Sequence, residues 1–361
     1  MATILVLWSH HSGYLHGCLQ ELARYVEVTA LFFEPAESAP FAKDFFGDAI
    51  YNIIWINPVD LSVTESISAN LSLFQPDLCL CSGWHHRFYM HLLSQSLKHR
   101  CIRVLCFDWQ WAPTFRNYLK AAFGSLFRSR MFDACFVAGE RQYQFARRAG
   151  FPSSAIYQGL YSASVVSSQS IPWGERRNRV VFVGRLVESK GCRQLAAAWS
   201  QLQTQRIIPA AWSLDVFGVG PLESLFIGMQ GCQVHGFRQP DEIAEVLASS
   251  KILCAPSLEE PWGVQIHEAT LAGLAVVATD VCGSAVHLVR SGFNGEIVSR
   301  GDAVSLLSAL SRLIQLDEPV SSALEEYGSC SKLLSRQFSP VIWANTVMRI
   351  LSGSAPGAAI K

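Results

Sequence analysis

The sequence lacks the features of a secreted, membrane-spanning or metal-binding protein. Its eleven cysteines are odd in number, form no C-x-x-C pair and show no Cys/His metal spacing, which predicts buried, reduced thiols and neither disulfides nor zinc. No segment reaches the roughly 18 apolar residues of a membrane helix. The N-terminal MATILVLWSHH has no basic region, so we expect a first strand there and not a signal peptide. Together these absences predict a cytoplasmic protein.

The formal net charge is also zero, which argues against nucleic acid as a bulk electrostatic partner. The composition is rich in apolar residues: half of the 361 residues are apolar, and only 16% are charged. That composition suffices for a sizeable core, and the length favours two domains.

The first half of the chain alternates strand-like and helix-like patterns. This alternation is typical of an α/β protein with a doubly wound parallel sheet. The predicted strands are Thr3–Trp8, Val26–Phe33, Ile50–Trp55, Leu78–Ser82, Arg103–Asp108 and Ala134–Ala138. Polar residues follow two of these strands, where α/β enzymes keep their chemistry. Candidate residues there are His85, His86 and Asp108. The three histidines of the first loop, His10, His11 and His16, are either acceptor contacts or ordinary loop residues.

In the second half, Pro256–Asp280 predicts a strand, an acidic loop, a helix and a second strand, which together form one βαβ unit. Glu260 stands just before the helix and Glu268 within it, a placement suited to hold a polyol beside a phosphate. Upstream, GRLVESKG places Arg185 and Lys190 on either side of a loop that enters a helix. Two cations beside a helix N-terminus suit a diphosphate leaving group.

The segments EPWGVQIHE and GRLVESKG resemble retaining glycosyltransferase family 4, with its E-x7-E motif. The resemblance implies two Rossmann-like domains facing across a cleft (GT-B type), with a C-terminal helix crossing back to the first domain. It also implies that Glu268 binds the nucleotide ribose, while Glu260 and the backbone amides near Gly263, Val264 and Gln265 hold the donor sugar. The corresponding basic pair of the family binds the donor diphosphate. In the family a glycine-bearing loop after the first strand faces the cleft, which makes Ser12 and Gly13 candidates on the acceptor side, although many members have paired glycines there.

Other donor contacts are expected at Gly184, in the G-x-G of Gly218 and Gly220, and at a later turn. In the resembling family that turn borders the nucleobase, which makes Phe237 and Arg238 candidates. The chain departs from the family at Ser82, where members often carry a histidine, and at His287, where many carry an acid.

The expected domains are an acceptor domain over residues 1–161, a linker over 162–178, a donor domain over 179–336, a crossover helix over 337–352 and a disordered tail over 353–361. Asn117–Phe132 fits either a helix resting on an anionic membrane surface, at the inner membrane face, or an ordinary surface helix.

The resemblance therefore implies a retaining glycosyltransferase, and because the basic pair can neutralise the leaving diphosphate we expect it to need neither a metal nor a cofactor. A nucleoside-diphosphate sugar is the expected donor, and the acceptor is a glycan, a lipid-linked molecule or a small molecule. Two alternatives stay open: an epimerase or phosphorylase on the same fold, and a non-catalytic partner subunit that binds nucleotide sugar.

Overall fold

A computed structural model describes residues 1–34, 49–56, 75–96, 101–111, 114–115, 117–119, 121–122, 131–163, 171–317 and 323–353. The chain divides into two compact units. Unit 1 comprises Met1–Ser164 and Phe338–Lys361, and unit 2 comprises Val165–Gln337.

Unit 1 is built on a seven-stranded parallel sheet in the order β3-β2-β1-β4-β5-β6-β7. Its strands are β1 Thr3–Trp8, β2 Glu27–Phe33, β3 Asn52–Ile56, β4 Leu78–Ser82, β5 Ile102–Phe107, β6 Ala134–Val137 and β7 Ile156–Gln158. Its described helices are α1 Gly13–Leu22, α2 Arg87–Ser96, α3 Glu140–Arg148 and, from the end of the chain, α10 Pro340–Leu351.

The strands of unit 1 are nearly continuous apolar runs because both faces of a parallel sheet are covered. From β1 the chain winds outward through β2 and β3, then returns to place β4 on the other side of β1. Open α/β sheets have a crevice at such a reversal, beyond the carboxyl ends of the two central strands. In unit 1 that point lies just past Trp8 and Ser82.

The last helix, α10, packs against α1 within unit 1. Ser339 caps its start, because the Ser339 hydroxyl accepts a hydrogen bond from the Ile342 amide at 3.1 Å. Trp343 is buried and donates its indole N–H to the Leu160 carbonyl at 2.9 Å. These contacts fix the end of the chain to unit 1.

Unit 2 is built on a six-stranded parallel sheet in the order β10-β9-β8-β11-β12-β13. Its strands are β8 Arg179–Val183, β9 Ser213–Phe217, β10 Cys232–Gly236, β11 Ile252–Ala255, β12 Ala275–Thr279 and β13 Gly295–Val298. Its helices are α4 Cys192–Thr204, α5 Pro240–Ala248, α6 Val264–Ala272, α7 Ala285–Leu288, α8 Ala303–Gln315 and α9 Ala323–Ser335.

Both faces of the unit 2 sheet are buried. One face packs against α4 and α8 and includes the fully buried Trp199. Because strand side chains alternate between faces, Phe182 belongs to this cluster, while its equally buried neighbour Val181 points to the other face. The winding of unit 2 reverses between β8 and β11, which places a second crevice beyond their carboxyl ends.

The predicted α/β class with doubly wound parallel sheets is confirmed, and the six strands predicted for the first half are present with ends shifted by at most two residues. The sequence reasoning did not predict β13 or α9. Of Asn117–Phe132, residues 120 and 123–130 lie outside the described residues, as do 164–170 of the expected linker and 354–361 of the expected tail. No helix within the described ranges is long and apolar enough to span a membrane.

Candidate active site

Three loops of unit 2 meet at the crevice between β8 and β11, and backbone hydrogen bonds join them. The amides of Leu258 and Glu259, in the loop after β11, donate to the Ser189 carbonyl at 2.8 and 3.1 Å. On the other side, the Leu186 amide donates to the Val219 carbonyl at 2.9 Å, which ties the loop after β8 to the loop after β9. The side chains that these loops carry therefore stand on a fixed backbone.

Two glycines allow this close approach. Gly191 has a φ of 71°, and a Cβ placed on it would lie 1.9 Å from the Pro256 carbonyl oxygen. Gly263 precedes α6 with a φ of 92°, and a Cβ there would lie 3.1 Å from the Glu260 Cγ. Only glycine adopts such conformations freely and leaves that space.

The central contact of the site is an ion pair between Lys190 and Glu260, with the Lys190 ammonium donating to the Glu260 Oε2. The two side chains are only 18% and 8% exposed, so the pair is held in a largely desolvated place. Gln265, in the first turn of α6, donates its side-chain amide to the same Oε2 at 3.2 Å. The structure thus brings the predicted residues Lys190 and Glu260 together, and the side chain of Gln265, not its predicted backbone amide, contacts this pair.

Arg185 lies in the loop after β8 and is exposed. Within the part of the chain that the structure describes, its guanidinium makes no ion pair or hydrogen bond. Its carbonyl accepts a hydrogen bond from the Val187 amide at 3.0 Å, so the backbone is positioned while the charge stays available. An available guanidinium beside the Lys190 loop is suited to bind an anionic group.

Glu268 lies one turn beyond Gln265 on α6, and side chains three residues apart share a helix face. Burial raises the pKa of its carboxyl from 4.5 to about 7. Among the described residues its carboxylate accepts no hydrogen bond. A half-buried carboxylate that accepts no hydrogen bond from the described residues is suited to accept hydrogen bonds from ligand hydroxyls.

The remaining predicted donor residues lie on neighbouring loops of unit 2. The Gly184 amide donates to the Phe217 carbonyl at 2.9 Å, and the Gly218 amide donates to the Gly236 carbonyl at 2.7 Å. A Cβ on Gly220 would lie 2.4 Å from the Leu186 carbonyl oxygen. These contacts link the loops after β8, β9 and β10.

Phe237 and Arg238 follow β10 directly. Phe237 is half-buried and Arg238 is exposed. The Arg238 Nε lies 3.8 Å from the Glu242 Oε1, one turn along the chain. Both residues lie beyond the carboxyl end of β10.

In unit 1, a cavity of about 200 Å³ opens at the crevice between β1 and β4. Two of the predicted residues, His85 and Asp108, line it. Ser12 and Gly13 lie at the start of α1, where the Ser12 carbonyl accepts the His16 amide at 2.8 Å. They are not among the lining residues.

His86 also does not line this cavity. It is half-buried, and its Nε2 lies 3.0 Å from the Ser9 hydroxyl. Burial, followed by the neighbouring His85 and His10, lowers the pKa of His86 to about 4. The sequence does not decide between His85 and His86, and in the structure His85 is the one that faces the cavity.

The first loop histidines separate into two environments. His10 lines the cavity. His11 and His16 instead lie on either side of the Tyr51 hydroxyl, with ring nitrogens 2.8 and 2.9 Å from it. Burial lowers the pKa of both imidazoles, that of His11 to about 4. These two histidines pack within unit 1.

Sequence reasoning missed Tyr161. Its hydroxyl donates to the Asp108 Oδ2 at 3.1 Å, its ring packs edge-on against Tyr14 at 5.0 Å, and it lines the cavity. The residue follows β7, at the carboxyl edge of the sheet, which is the signal that would have identified it. Separately, the described residues contain no group of three or more His, Cys, Asp or Glu that could hold a metal ion.

Residues 177–316 match the family model described as glycosyl transferases group 1. That segment is similar to the group 1 glycosyltransferases. It covers most of unit 2 and contains all the predicted donor-binding residues.

Curated proteins similar to this chain include several glycosyltransferases. The sulfoquinovosyl transferase SQD2 of Arabidopsis thaliana is 27% identical over 180 residues, which are 45% of this chain and 34% of that protein. The D-inositol 3-phosphate glycosyltransferase of Corynebacterium jeikeium is 31% identical over 163 residues, which are 42% of this chain and 38% of that protein. The chain thus spans about a third of the length of these relatives.

Solved structures align over nearly the whole chain. The crystal structure of Anabaena Alr3699/HepE in complex with UDP-glucose aligns with a TM-score of 0.76 and 17% identity, covering 98% of this chain and 100% of that one. Sucrose-phosphate synthase from Thermosynechococcus elongatus aligns with a TM-score of 0.73 and 15% identity, covering 98% of both chains. These alignments establish that the fold is the GT-B fold of glycosyltransferases.

Proposed function

We propose that the chain transfers a sugar from a nucleoside-diphosphate sugar to a hydroxyl group of an acceptor, with retention of the anomeric configuration. One observation carries the proposal. At the reversal point of unit 2, Lys190 of the loop after β8 pairs with Glu260 of the loop after β11, and Gln265 of α6 donates to the same carboxylate. Arg185 lies in the loop after β8 and Glu268 lies in α6, so two further ionisable groups stand on the same segments. The group 1 family match and the UDP-glucose bound by a structural neighbour support it.

Each end of the donor has a matching group. Arg185 and Lys190 stabilise the diphosphate as it departs, because fixed cations act most strongly where negative charge develops. Glu260 and the amides at the start of α6, Val264 and Gln265, hold the sugar hydroxyls. Glu268, the second carboxylate of the E-x7-E motif, accepts the ribose hydroxyls.

The ion pair between Lys190 and Glu260 preorganises this arrangement. The pair links the diphosphate-binding side of the site to the sugar-binding side, so the spacing between the two is set before the donor arrives. Such preorganisation lowers the free energy lost in ordering the site when the transition state forms.

In the proposed reaction, the bond between the anomeric carbon and the diphosphate oxygen breaks. The acceptor oxygen forms its bond on the same face of the sugar, and the hydroxyl proton passes to the departing diphosphate. The step requires no protein nucleophile and no metal, since the basic pair supplies the charge neutralisation. His85 and Asp108 are the unit 1 residues proposed to reach the reacting groups.

A donor screen followed by one variant tests the proposal. UDP, GDP and ADP sugars are first compared for the thermal stabilisation that each gives, and release of the nucleoside diphosphate is then measured for any donor that binds. Arg185→Ala should reduce the release rate by about 10²- to 10³-fold, the effect of losing one preorganised charge contact in a transition state.

Arg177→Ala is the matched control. Arg177 is also exposed and precedes β8, at the opposite end of the strand from Arg185, so the control should retain the wild-type rate. Release at the wild-type rate by a folded Arg185→Ala protein would refute the role of Arg185. Failure of every nucleotide sugar to stabilise the protein would refute the proposed function.

A further inference from the structure

Arg176 is a buried cation at the edge of the unit 2 sheet that lies away from the donor residues. It stands just before β8, at the amino end of the strand, whereas Arg185 and Lys190 follow the carboxyl end. Only 9% of the residue is exposed. Because a buried guanidinium needs acceptors for its N–H groups, the contacts of Arg176 show which parts of unit 2 it holds in place.

The guanidinium of Arg176 joins the C-terminal ends of two helices. Its Nη2 donates to the carbonyl of Ala272, the last residue of α6, at 2.9 Å, and its Nη1 donates to the Gly273 carbonyl at 3.2 Å. The same Nη1 donates to the Ser250 carbonyl, just after α5, at 3.2 Å. The two helices pack against each other, and a cation complements the negative ends of both helix dipoles. Arg176 therefore fixes the end of α6 relative to α5.

The last turn of α6 takes a partner from outside the helix. Gly273 follows the helix with a φ of 76°, and its amide donates to the Thr270 carbonyl at 3.1 Å. This left-handed ending closes the backbone of the turn. It does not use the Ala272 carbonyl, which belongs to the terminal carbonyls that a helix cannot bond internally. Arg176 supplies that hydrogen bond.

The rest of α6 carries the candidate donor groups, Gln265 in the first turn and Glu268 in the middle. The N-terminal end is fixed by a neighbouring loop, because the buried Ser284 hydroxyl donates to the Gly263 carbonyl at 3.0 Å. A helix that is held at its N-terminal end can still tilt about that end. The position of Glu268 therefore depends on what holds the C-terminal end, where Arg176 binds.

The geometry of the helix sets the size of the effect. At about 1.5 Å of rise per residue, Glu268 lies roughly 6 Å and Ala272 roughly 12 Å along the axis from Val264. If the C-terminal end shifts by about 1 Å, Glu268 moves by about 0.5 Å, while Gln265 moves by far less. A shift of about 0.5 Å reaches the tolerance within which a binding group must be held. Loosening this end should therefore disturb Glu268 and spare Gln265.

We propose that Arg176 is a positioning residue for donor binding: it holds the C-terminal end of α6 so that Glu268 meets the donor. The inference rests on the proposed function, in which Glu268 accepts the ribose hydroxyls. Arg176 itself does not contact the donor. Its effect is carried along α6 from the amino edge of the sheet towards the carboxyl edge.

Arg176→Lys tests the proposal with the charge retained. A lysine ammonium is a point charge on a flexible stem and cannot reproduce the planar fork that holds three carbonyls. UDP-glucose, GDP-glucose and ADP-glucose are screened against the wild type at pH 8. A nucleotide sugar that binds is then titrated by calorimetry and assayed for release of the nucleoside diphosphate.

The variant should bind this donor about tenfold more weakly than the wild type, since a misplacement of about 1 Å can cost about 100-fold. Its KM for the donor should rise by the same factor while kcat changes little, because a ribose contact is equally strong in the ground state and in the transition state. This result differs from that of Arg185→Ala, which should lower the release rate itself.

A double-mutant cycle with Glu268→Gln distinguishes positioning from a general loss of stability. If Arg176 acts through Glu268, adding Arg176→Lys to Glu268→Gln should change the donor affinity by less than about twofold, so that the two effects are not additive. Arg179→Lys is the matched control, because Arg179 is also buried at this edge but binds α5 and β9. It donates to the Val246 carbonyl at 2.9 Å and pairs with Asp215 at 3.1 Å. Its effect on the donor affinity should add to that of Glu268→Gln.

The Arg176→Lys protein should stay folded, because α9 also packs along α6 and its Ser331 hydroxyl donates to the Leu274 carbonyl at 2.6 Å. Urea denaturation checks this expectation. Arg176→Gln keeps side-chain N–H donors without the charge, and it replaces the lysine variant in the cycle if that variant does not fold.

Three outcomes would overturn the inference: additive effects of the Arg176 and Glu268 variants, unchanged donor affinity in the folded Arg176 variant, or a lower kcat at an unchanged KM. The wild type tests the proposed function separately. If it binds a nucleotide sugar and releases the nucleoside diphosphate, any of these outcomes removes only the role of Arg176. If no nucleotide sugar binds, the proposed function fails and the inference fails with it.

Discussion

The ionisation of Glu268 should make both the stability of the protein and its donor binding depend on pH. Burial raises the pKa of its carboxyl from 4.5 to about 7. Between these two values the unfolded chain has released the proton and the folded protein retains it, so the folded state binds more protons. Stability therefore falls as the pH rises through this window and is independent of this group outside it.

The magnitude follows from the same two values. Each pH unit between them corresponds to about 1.4 kcal/mol, so the ionised Glu268 destabilises the folded protein by at most about 3 kcal/mol above pH 7. Glu268→Gln removes the charge with little change in shape. We expect this variant to be more stable than the wild type at pH 8 by up to about 3 kcal/mol and to differ little near pH 5.

Affinity for the donor should rise as the pH rises, whereas stability falls. If only the carboxylate form accepts the ribose hydroxyls, the apparent affinity scales with the ionised fraction, and a nucleotide sugar should bind about tenfold more weakly at pH 6 than at pH 8. Both phosphates of a nucleotide sugar are esterified, so the ligand itself does not titrate in this range. Glu268→Gln should bind the donor weakly at both pH values.

Urea denaturation at pH 5 and pH 8, together with titration calorimetry of the donor at pH 6 and pH 8, checks both parts. Glu259→Gln is the matched control, because Glu259 is an exposed carboxylate in the loop that precedes α6. The reasoning is refuted if Glu268→Gln is less stable than the wild type at pH 8, or if its stability difference is the same at both pH values.

Two further predictions concern the loops of unit 2. Lys190→Ala removes the ammonium that neutralises the buried carboxylate of Glu260 and should lower the unfolding free energy by about 3 kcal/mol; adding Glu260→Gln should recover part of this loss in a thermal double-mutant cycle. Gly191→Ala should destabilise the protein more than Gly228→Ala in urea denaturation, because φ is 71° and 74° at the two positions but only the first Cβ would strike the Pro256 carbonyl. Equal midpoints would contradict the close approach of these loops.

Much of unit 2 could be predicted from the sequence because its site is local. Glu260, Gln265 and Glu268 lie within nine residues, and a strand, a glycine and a helix in succession fix their relative positions. The contact of Glu260 with Lys190 spans 70 residues. The sequence alone does not predict this contact, because the pairing of β8 with β11, which brings the two loops to one edge of the sheet, is seen only in the fold.

The unit 1 site was less accessible to sequence reasoning for a physical reason. Asp108 and Tyr161 are 53 residues apart, and no short motif contains both. The hydroxyl of Tyr161 reaches the carboxylate only because β7 lies two strands away from β5 at the same edge of the sheet. The helix α9 was missed for a different reason, since its sequence ALEEYGSCSKLLS mixes small and polar residues and carries only a weak apolar stripe.

The two sheets explain why the sites of the two units differ in how readily they are inferred from the sequence. Each sheet reverses its winding once, between β1 and β4 in unit 1 and between β8 and β11 in unit 2, and each reversal opens a crevice at the carboxyl edge. A diphosphate demands fixed cations beside its charge, so its site keeps a compact, recognisable sequence. The cavity around Asp108 is instead assembled from the ends of four strands, β1, β4, β5 and β7, so no short segment of the sequence contains it.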